Sequence, residues 1–250
     1  MHVEFNIAGV NYSASLEKGV SLALGFGPNA ENPNAFYIPK VLFEPIKVGD
    51  FVGSVKEGGS ANCEMVTYCA HGNGTHTECV GHLSKERINV IEMLLETNLS
   101  AQLITVPLKK EGIYTFIDKD CLKTINWEPT SAIIIRSTPN EIAKKSNIWS
   151  GTNPPYFTPE AIEFIKSKGY HHILTDFPSI DPEEDGGELL SHRVWWNYPS
   201  EPRYNATITE LIYVPNLLQD GIYFMQLGLP RIFSDAVPSN PILYPLIKKD

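Results

Sequence analysis

The sequence predicts an α+β domain, with central strands and helices packed outside them. Three observations lead there. With 19 prolines and 18 glycines in 250 residues, the chain has too many breaks for a helical bundle. Short apolar runs at 102–107 (QLITVP) and 132–135 (AIII) have the length and β-branched character of buried strands. One segment, 159–168, carries the marks of a helix. Thr158 can cap it, Pro159 suits the first helical position, and Glu160 sits at the positive end of the dipole. Ala161, Ile162, Phe164 and Ile165 recur at helical spacing, Lys166 and Lys168 occupy the last turn, and Gly169 stops it.

The remaining elements follow in order. Residues 6–10 and 13–16 read as short strands around a polar turn, and 28–39, rich in Pro and Asn, as loop. Residues 64–69 (EMVTYC) are β-formers that run into a cluster of histidines. After the helix, 171–175 (HHILT) reads as a strand and 177–182 as a Pro-rich turn. Residues 206–214 (ATITELIYV) and 221–228 (GIYFMQLG) read as a pair of strands covered on both faces. No repeat and no linker of biased composition divides the chain, so residues 1–250 are expected to form one domain.

Charge and cysteine usage narrow the partners. There are 20 basic and 29 acidic residues, a formal charge of −9, which argues against a nucleic acid or an anionic membrane held by bulk charge. No stretch of 18 apolar residues suggests a membrane span. The first residues carry Glu4 and Glu17 and no basic-then-apolar leader, and the four cysteines (Cys63, Cys69, Cys79, Cys121) form no CxxC pair. Reduced thiols in a cytoplasmic protein are the expectation.

The chemistry concentrates at His71-Gly-Asn-Gly-Thr-His76-Thr-Glu78-Cys-Val-Gly-His82, where three histidines fall within 12 residues. On an extended chain His76 and Glu78, at i and i+2, project from one face. Gly72, Asn73 and Gly74 tolerate positive φ, so a tight turn or bulge can bring His71 round to them, whereas the two glycines argue against a helix. Cys79 points the other way and is left out. Imidazole nitrogens with a carboxylate suit zinc, with manganese or iron as further choices, and disfavour calcium. Three protein ligands with an open position describe a catalytic ion. His82 then has the properties of a general base and acid.

His76-x-Glu78-x-x-x-His82, preceded by Gly74-Thr75 and an upstream histidine, resembles the signature of the metal-dependent cyclase family, which includes bacterial kynurenine formamidases. The family's pattern is His-x-Gly-Thr-His-x-Asp-x-Pro-x-His. Ala132-Ile-Ile-Ile-Arg136, the helix after Thr158, Asp176-Phe-Pro-Ser-Ile-Asp-Pro182, Leu189-Leu-Ser-His192 and Thr209-Glu210 are similar to its later blocks in the same order. The resemblance covers roughly residues 60–245. It implies a swivelling β/β/α fold and a homodimer or homotetramer. It also implies one divalent metal on His71, His76 and Glu78, a second on Glu78, His192 and Glu210, and His82 as proton carrier. Three departures stand out: one extra residue between His71 and His76, Glu78 for aspartate, and Val80-Gly81 in place of the proline and its neighbour.

Other residues have plainer readings. Trp195 and Trp196 either wall a pocket beside His192 or pack as core. Ser179 and Asp181 are accounted for by turn chemistry, and His171 and His172, facing opposite sides of a strand, by structure. Trp149, Tyr156 and Phe157 lie in a long loop that could cover a substrate. Three functions remain open. The first is a divalent-metal hydrolase of an amide, a formamide or a cyclic ester. The second is a metal-dependent lyase, dehydratase or isomerase. The third is a domain that binds a metal or small acid without turnover. In the two enzymatic readings the partner is a small-molecule substrate.

Overall fold

The computed structural model describes residues 1–28 and 30–249. Ten strands carry the architecture: β1 (His2–Ile7), β2 (Val10–Ser15), β3 (His76–Glu78), β4 (Asn98–Pro107), β5 (Ala132–Thr138), β6 (His172–Thr175), β7 (Thr207–Glu210), β8 (Gly221–Gly228), β9 (Ala236–Pro238) and β10 (Asn240–Lys248). They form one sheet in the order β1-β2-β10-β8-β4-β5-β6-β7-β3-β9, and the short strand Val20–Ser21 joins it beside β10. The four strands β4 to β7 run parallel, and every other pairing among the ten is antiparallel. Small two- and three-stranded sheets lie outside this one.

The parallel strands are buried on both faces, as their unbroken apolar runs require. Ile133 and Ile135 point to one face with Ile104, Ile173 and Ile208, and meet α3 (Pro159–Lys166) and α4 (Leu190–Trp196). Ala132 and Ile134 point to the other, with Leu103, Leu174, Met225 and Leu243. The Thr158 hydroxyl accepts from Ala161 N and Pro159 opens α3, which buries Ala161, Ile162 and Ile165. Each of those isoleucines contributes roughly 2 kcal/mol of apolar burial. Trp195 and Trp196 are fully buried in the same core, where their indole N–H groups donate to Thr207 O and Ala206 O. Of their two readings, the core one holds.

The expected elements are present with four corrections. The first hairpin turns at Ala8-Gly9, whose φ values are 48° and 84°, so Asn11 and Tyr12 lie within β2. The two strands expected to pair near the C-terminus do not. β7 lies between β6 and β3, while β8 pairs with β4 and β10. In the loop expected to cover a substrate, two of the three aromatics turn inward. Phe157 is fully buried in the main core, Tyr156 pairs with Phe116, and Trp149 packs against Leu24, Ala35 and Leu211. Residues Ala70–Asn73 form one helical turn, α1, despite Gly72, and Val90–Met93 form another, α2. The expected loop 28–39 contains no regular strand or helix, and Asn29 within it, like Asp250 of the expected domain, lies outside the described residues. No described helix is long and apolar enough to cross a membrane.

His172 is buried on β6, and burial pulls its pKa down to about 4. In the unfolded chain it takes a proton below about 6.5, whereas the folded chain resists until about 4, so acid favours unfolding through that window. Urea unfolding of chelator-treated protein should show wild type losing about 3 kcal/mol more than His172→Gln between those two pH values. Parallel losses in both proteins would remove this account of His172.

Candidate metal centre

The centre forms where the carboxyl end of β7 meets β3, at the end of the parallel strands where open α/β sheets place their ligands. Antiparallel register sets His76 opposite Glu210 and Glu78 opposite Ile208, so the two acids and His76 share one face. Thr75, ahead of β3, ties the strands together: its hydroxyl donates to Leu211 O and accepts from Leu24 N. That contact braces Leu211, which takes φ of 54° directly after Glu210.

His71 arrives on α1. The helical turn absorbs the extra residue of the motif, and Asn73 holds it by accepting from Cys69 N and donating to Pro39 O. Gly72 is required here, because a Cβ would sit 2.6 Å from Ile38 and 2.9 Å from Ala35 O. His82 arrives on the 3-10 turn Val80–His82. Gly81, which stands in the stretch that departs from the family's proline, lets that turn press against Ile88, whose carbonyl oxygen would be 2.2 Å from a Cβ. His192 comes from α4, at its buried N-terminal end.

The structure brings all six expected residues together. His71 Nδ1 lies 3.2 Å from Glu78 Oε2, and His192 Nε2 lies 3.1 Å from Glu78 Oε1. Glu210 Oε2 is 3.3 Å from His76 Nε2, its Oε1 is 3.7 Å from His192 Nε2, and the same Oε1 accepts from Ile180 N. Two trios from the expected residues draw ligand atoms within 4.8 Å of one another: His71–His76–Glu78, and Glu78–His82–His192. The first is the expected set. The second has His82 where Glu210 was expected, since Glu210 leans toward His76 and Ile180. Cys79 is buried away from the centre, where its sulfur accepts from Gly81 N.

The protonation pattern fits a cation. A carbonyl or carboxylate oxygen can only accept, so the imidazole nitrogen facing it must carry the hydrogen. His76 Nδ1 donates to Gly74 O, and His192 Nδ1 donates to Asp181 Oδ2 at 2.6 Å. The opposite nitrogens then present lone pairs toward carboxylates, an arrangement that is repulsive unless a proton or a metal lies between. His76 Nε2 and Glu78 Oε2 are buried with no hydrogen-bond partner among the described residues. Leaving such atoms unsatisfied costs about 1–3 kcal/mol each, and a divalent ion on His71, His76 and Glu78 would satisfy both. The residues fit that group.

Electrostatics point the same way. Burial works against charge on His71, but the Asp235 and Glu78 carboxylates outweigh it and push its pKa up to about 10. Burial likewise opposes charge on His192, which Asp181 and Glu78 overcome, raising it well above the usual imidazole range. Burial alone would raise Glu78, yet the neighbouring imidazoles hold it well below the usual carboxylate range. A field that draws protons to these nitrogens draws a metal cation to the same place.

Two acids escaped the sequence reading. Asp181, assigned to turn chemistry, also accepts from Ser191 N and His192 N and orients the His192 ring. The Pro-Ser-Ile-Asp-Pro block carried that signal. Asp235 sits 3.0 Å from His71 Nε2 and 3.4 Å from His82 Nδ1. No local pattern marks it, because it reaches the centre only through the pairing of β9 with β3.

The chain is 25% identical over 194 residues to a kynurenine formamidase of Bacillus cytotoxicus, covering 76% of this chain and 84% of that protein. It is 25% identical over 195 residues to a kynurenine formamidase of Bacillus cereus, covering 77% and 85%. Its fold is similar to that of isatin hydrolase A from Labrenzia aggregata, with a TM-score of 0.64 at 13% identity over 92% of this chain and 94% of that one. The sequence model of the family described as putative cyclase matches residues 20–182, a span that holds the whole histidine motif and the Asp181 turn. That span is well over half of the chain, and the chain belongs to the putative cyclase family.

Proposed function

We propose that this protein is a divalent-metal-dependent hydrolase of carbon–nitrogen bonds, acting on an amide or a formamide of arylformamidase type, with a cyclic ester as a related substrate. The observation that carries it is the meeting of His71, His76 and Glu78, with His76 Nε2 and Glu78 Oε2 buried without hydrogen-bond partners among the described residues, beside a histidine that is part-exposed. Kinship with the formamidases supports the choice of bond.

His71, His76 and Glu78 would hold one ion, with Glu78, His192 and Glu210 supplying donors for a second. Bound there, a divalent cation would supply Lewis-acid chemistry, polarising an acyl carbonyl and lowering the pKa of a water molecule. The residues of the chain supply the rest. His82, exposed on one side and 3.9 Å from Glu78, takes the proton from the attacking water and returns it to the departing nitrogen. Asp181 holds the His192 ring in place, and the Thr75 contacts keep β3 and Leu211 in register. The nitrogen and oxygen donors favour zinc, with manganese as the second choice. Cytoplasmic location and a homodimer or homotetramer complete the reading.

The test is elemental analysis of protein purified without chelator, paired with aryl-formamide hydrolysis. At least one divalent ion per chain is expected, with activity lost on chelation, restored by zinc or manganese, and solvent oxygen-18 found in the product. Proton exchange next to a carbonyl without cleavage would instead indicate the lyase or isomerase chemistry.

A further inference from the structure

We propose that Asp235 is a positioning residue that sets the tautomers of two histidines at once, the metal-holding His71 and the proton carrier His82. The inference rests on the metal-hydrolase reading above and adds a residue that lies far from the histidine motif in sequence.

The backbone delivers Asp235 to the centre. In the β9–β3 pairing Ala236 lies opposite Glu78 and Pro238 opposite His76, and Cys79 N donates to Asp235 O at 3.0 Å. The residue just before β9 is thereby fixed to the strand that carries Glu78. Its Oδ2 lies 3.0 Å from His71 Nε2 and 3.4 Å from His82 Nδ1. The other oxygen, Oδ1, accepts from Ser234 Oγ at 3.2 Å. Among the described residues, then, the side chain is engaged by its neighbour Ser234 and by these two histidines. It is 35% exposed, so it contributes little to core packing.

The tautomers follow from what a carboxylate can do. Asp235 Oδ2 only accepts, so the hydrogens belong on His71 Nε2 and His82 Nδ1. That leaves His71 Nδ1, 3.2 Å from Glu78 Oε2, as the nitrogen whose lone pair a bound cation would take. It leaves His82 Nε2 free to exchange a proton with substrate. The two rings lie 4.4 Å apart at 33°, so one carboxylate serves both without either turning away. The centre uses the same device at His76, held by Gly74 O, and at His192, held by Asp181. With Asp235 included, each of the four imidazoles has an oxygen acceptor beside one nitrogen, which leaves the other to face an ion or the substrate.

The test strips the full chain with chelator and titrates zinc alone in competition with a chromophoric chelator. For Asp235→Ala we expect the zinc dissociation constant to rise about 10–100-fold at unchanged stoichiometry. Aryl-formamide kcat should fall with KM little changed, and Asp235→Asn, which keeps one acceptor, should recover part of both losses. Nitrogen-15 spectra of the zinc-loaded protein read the tautomer directly. Wild type should show hydrogen on His82 Nδ1, and Asp235→Ala a mixture of forms. Unchanged zinc affinity and tautomers in both variants would overturn the proposal while leaving the metal centre intact. Loss of one whole zinc equivalent would overturn it in favour of direct ligation. Absence of zinc binding in wild type would overturn the centre itself and this inference with it.

Discussion

Glu78→Ala should abolish metal binding and turnover together. Glu78 is the carboxylate on which the centre converges, within 3.2 Å of His71, 3.1 Å of His192 and 3.9 Å of His82. Removing it takes the shared acid from both expected ion sites and strips His71 Nδ1 and His192 Nε2 of the carboxylate they have in common. Losing an outer orienting partner costs 10–100-fold in metal affinity, so losing a central ligand should cut metal content to roughly a tenth of wild type or less under limiting zinc. Hydrolysis should fall in proportion. Glu78→Gln, nearly the same in shape, should behave alike, which separates loss of charge from loss of packing. Elemental analysis and the aryl-formamide assay on the two variants decide the matter; wild-type metal content in both would remove Glu78 from the centre.

His82→Asn should do the reverse: keep the metal and lose the rate. A positioned general base or acid contributes about 10²–10⁴-fold, so kcat should drop by that factor, about 3–5 kcal/mol on the barrier, with KM little changed. The structure makes this a real contest, because His82 also belongs to the trio Glu78–His82–His192 whose donor atoms converge within 4.8 Å. Metal loss equal to that of the Glu78 variants would place His82 among the ligands. Retained metal with lost turnover assigns it to proton transfer.

Much of this arrangement is written locally. His76 and Glu78 share a face because strand geometry alternates, and a reader of the motif needs nothing distant to see it. Helix α3 announces itself through Thr158, Pro159 and its apolar spacing, and β4 and β5 through continuous burial. What stayed hidden depends on contacts between distant segments. Residues 206–214 and 221–228 look like neighbours in sequence, but β7 goes between β6 and β3 while β8 crosses to β4, a choice made by the sheet as a whole. The helical turn at Ala70–Asn73 goes against the low helix propensity of glycine, because Asn73 bonds Cys69 and Pro39 and only a glycine fits against Ile38. Asp235 depends on the β9 pairing, which no motif encodes.

The double edge of β3 has one more consequence. It hydrogen-bonds to β7 on one side and β9 on the other, so backbone ladders on three neighbouring strands anchor His76, Glu78, Glu210 and, one residue before β9, Asp235. Donors mounted on such a frame have little freedom left to surrender when an ion arrives. Uptake should therefore be close to isostructural: far-ultraviolet circular dichroism and amide exchange in these strands should hardly differ between stripped and loaded protein, and the apoprotein should capture zinc quickly, without refolding.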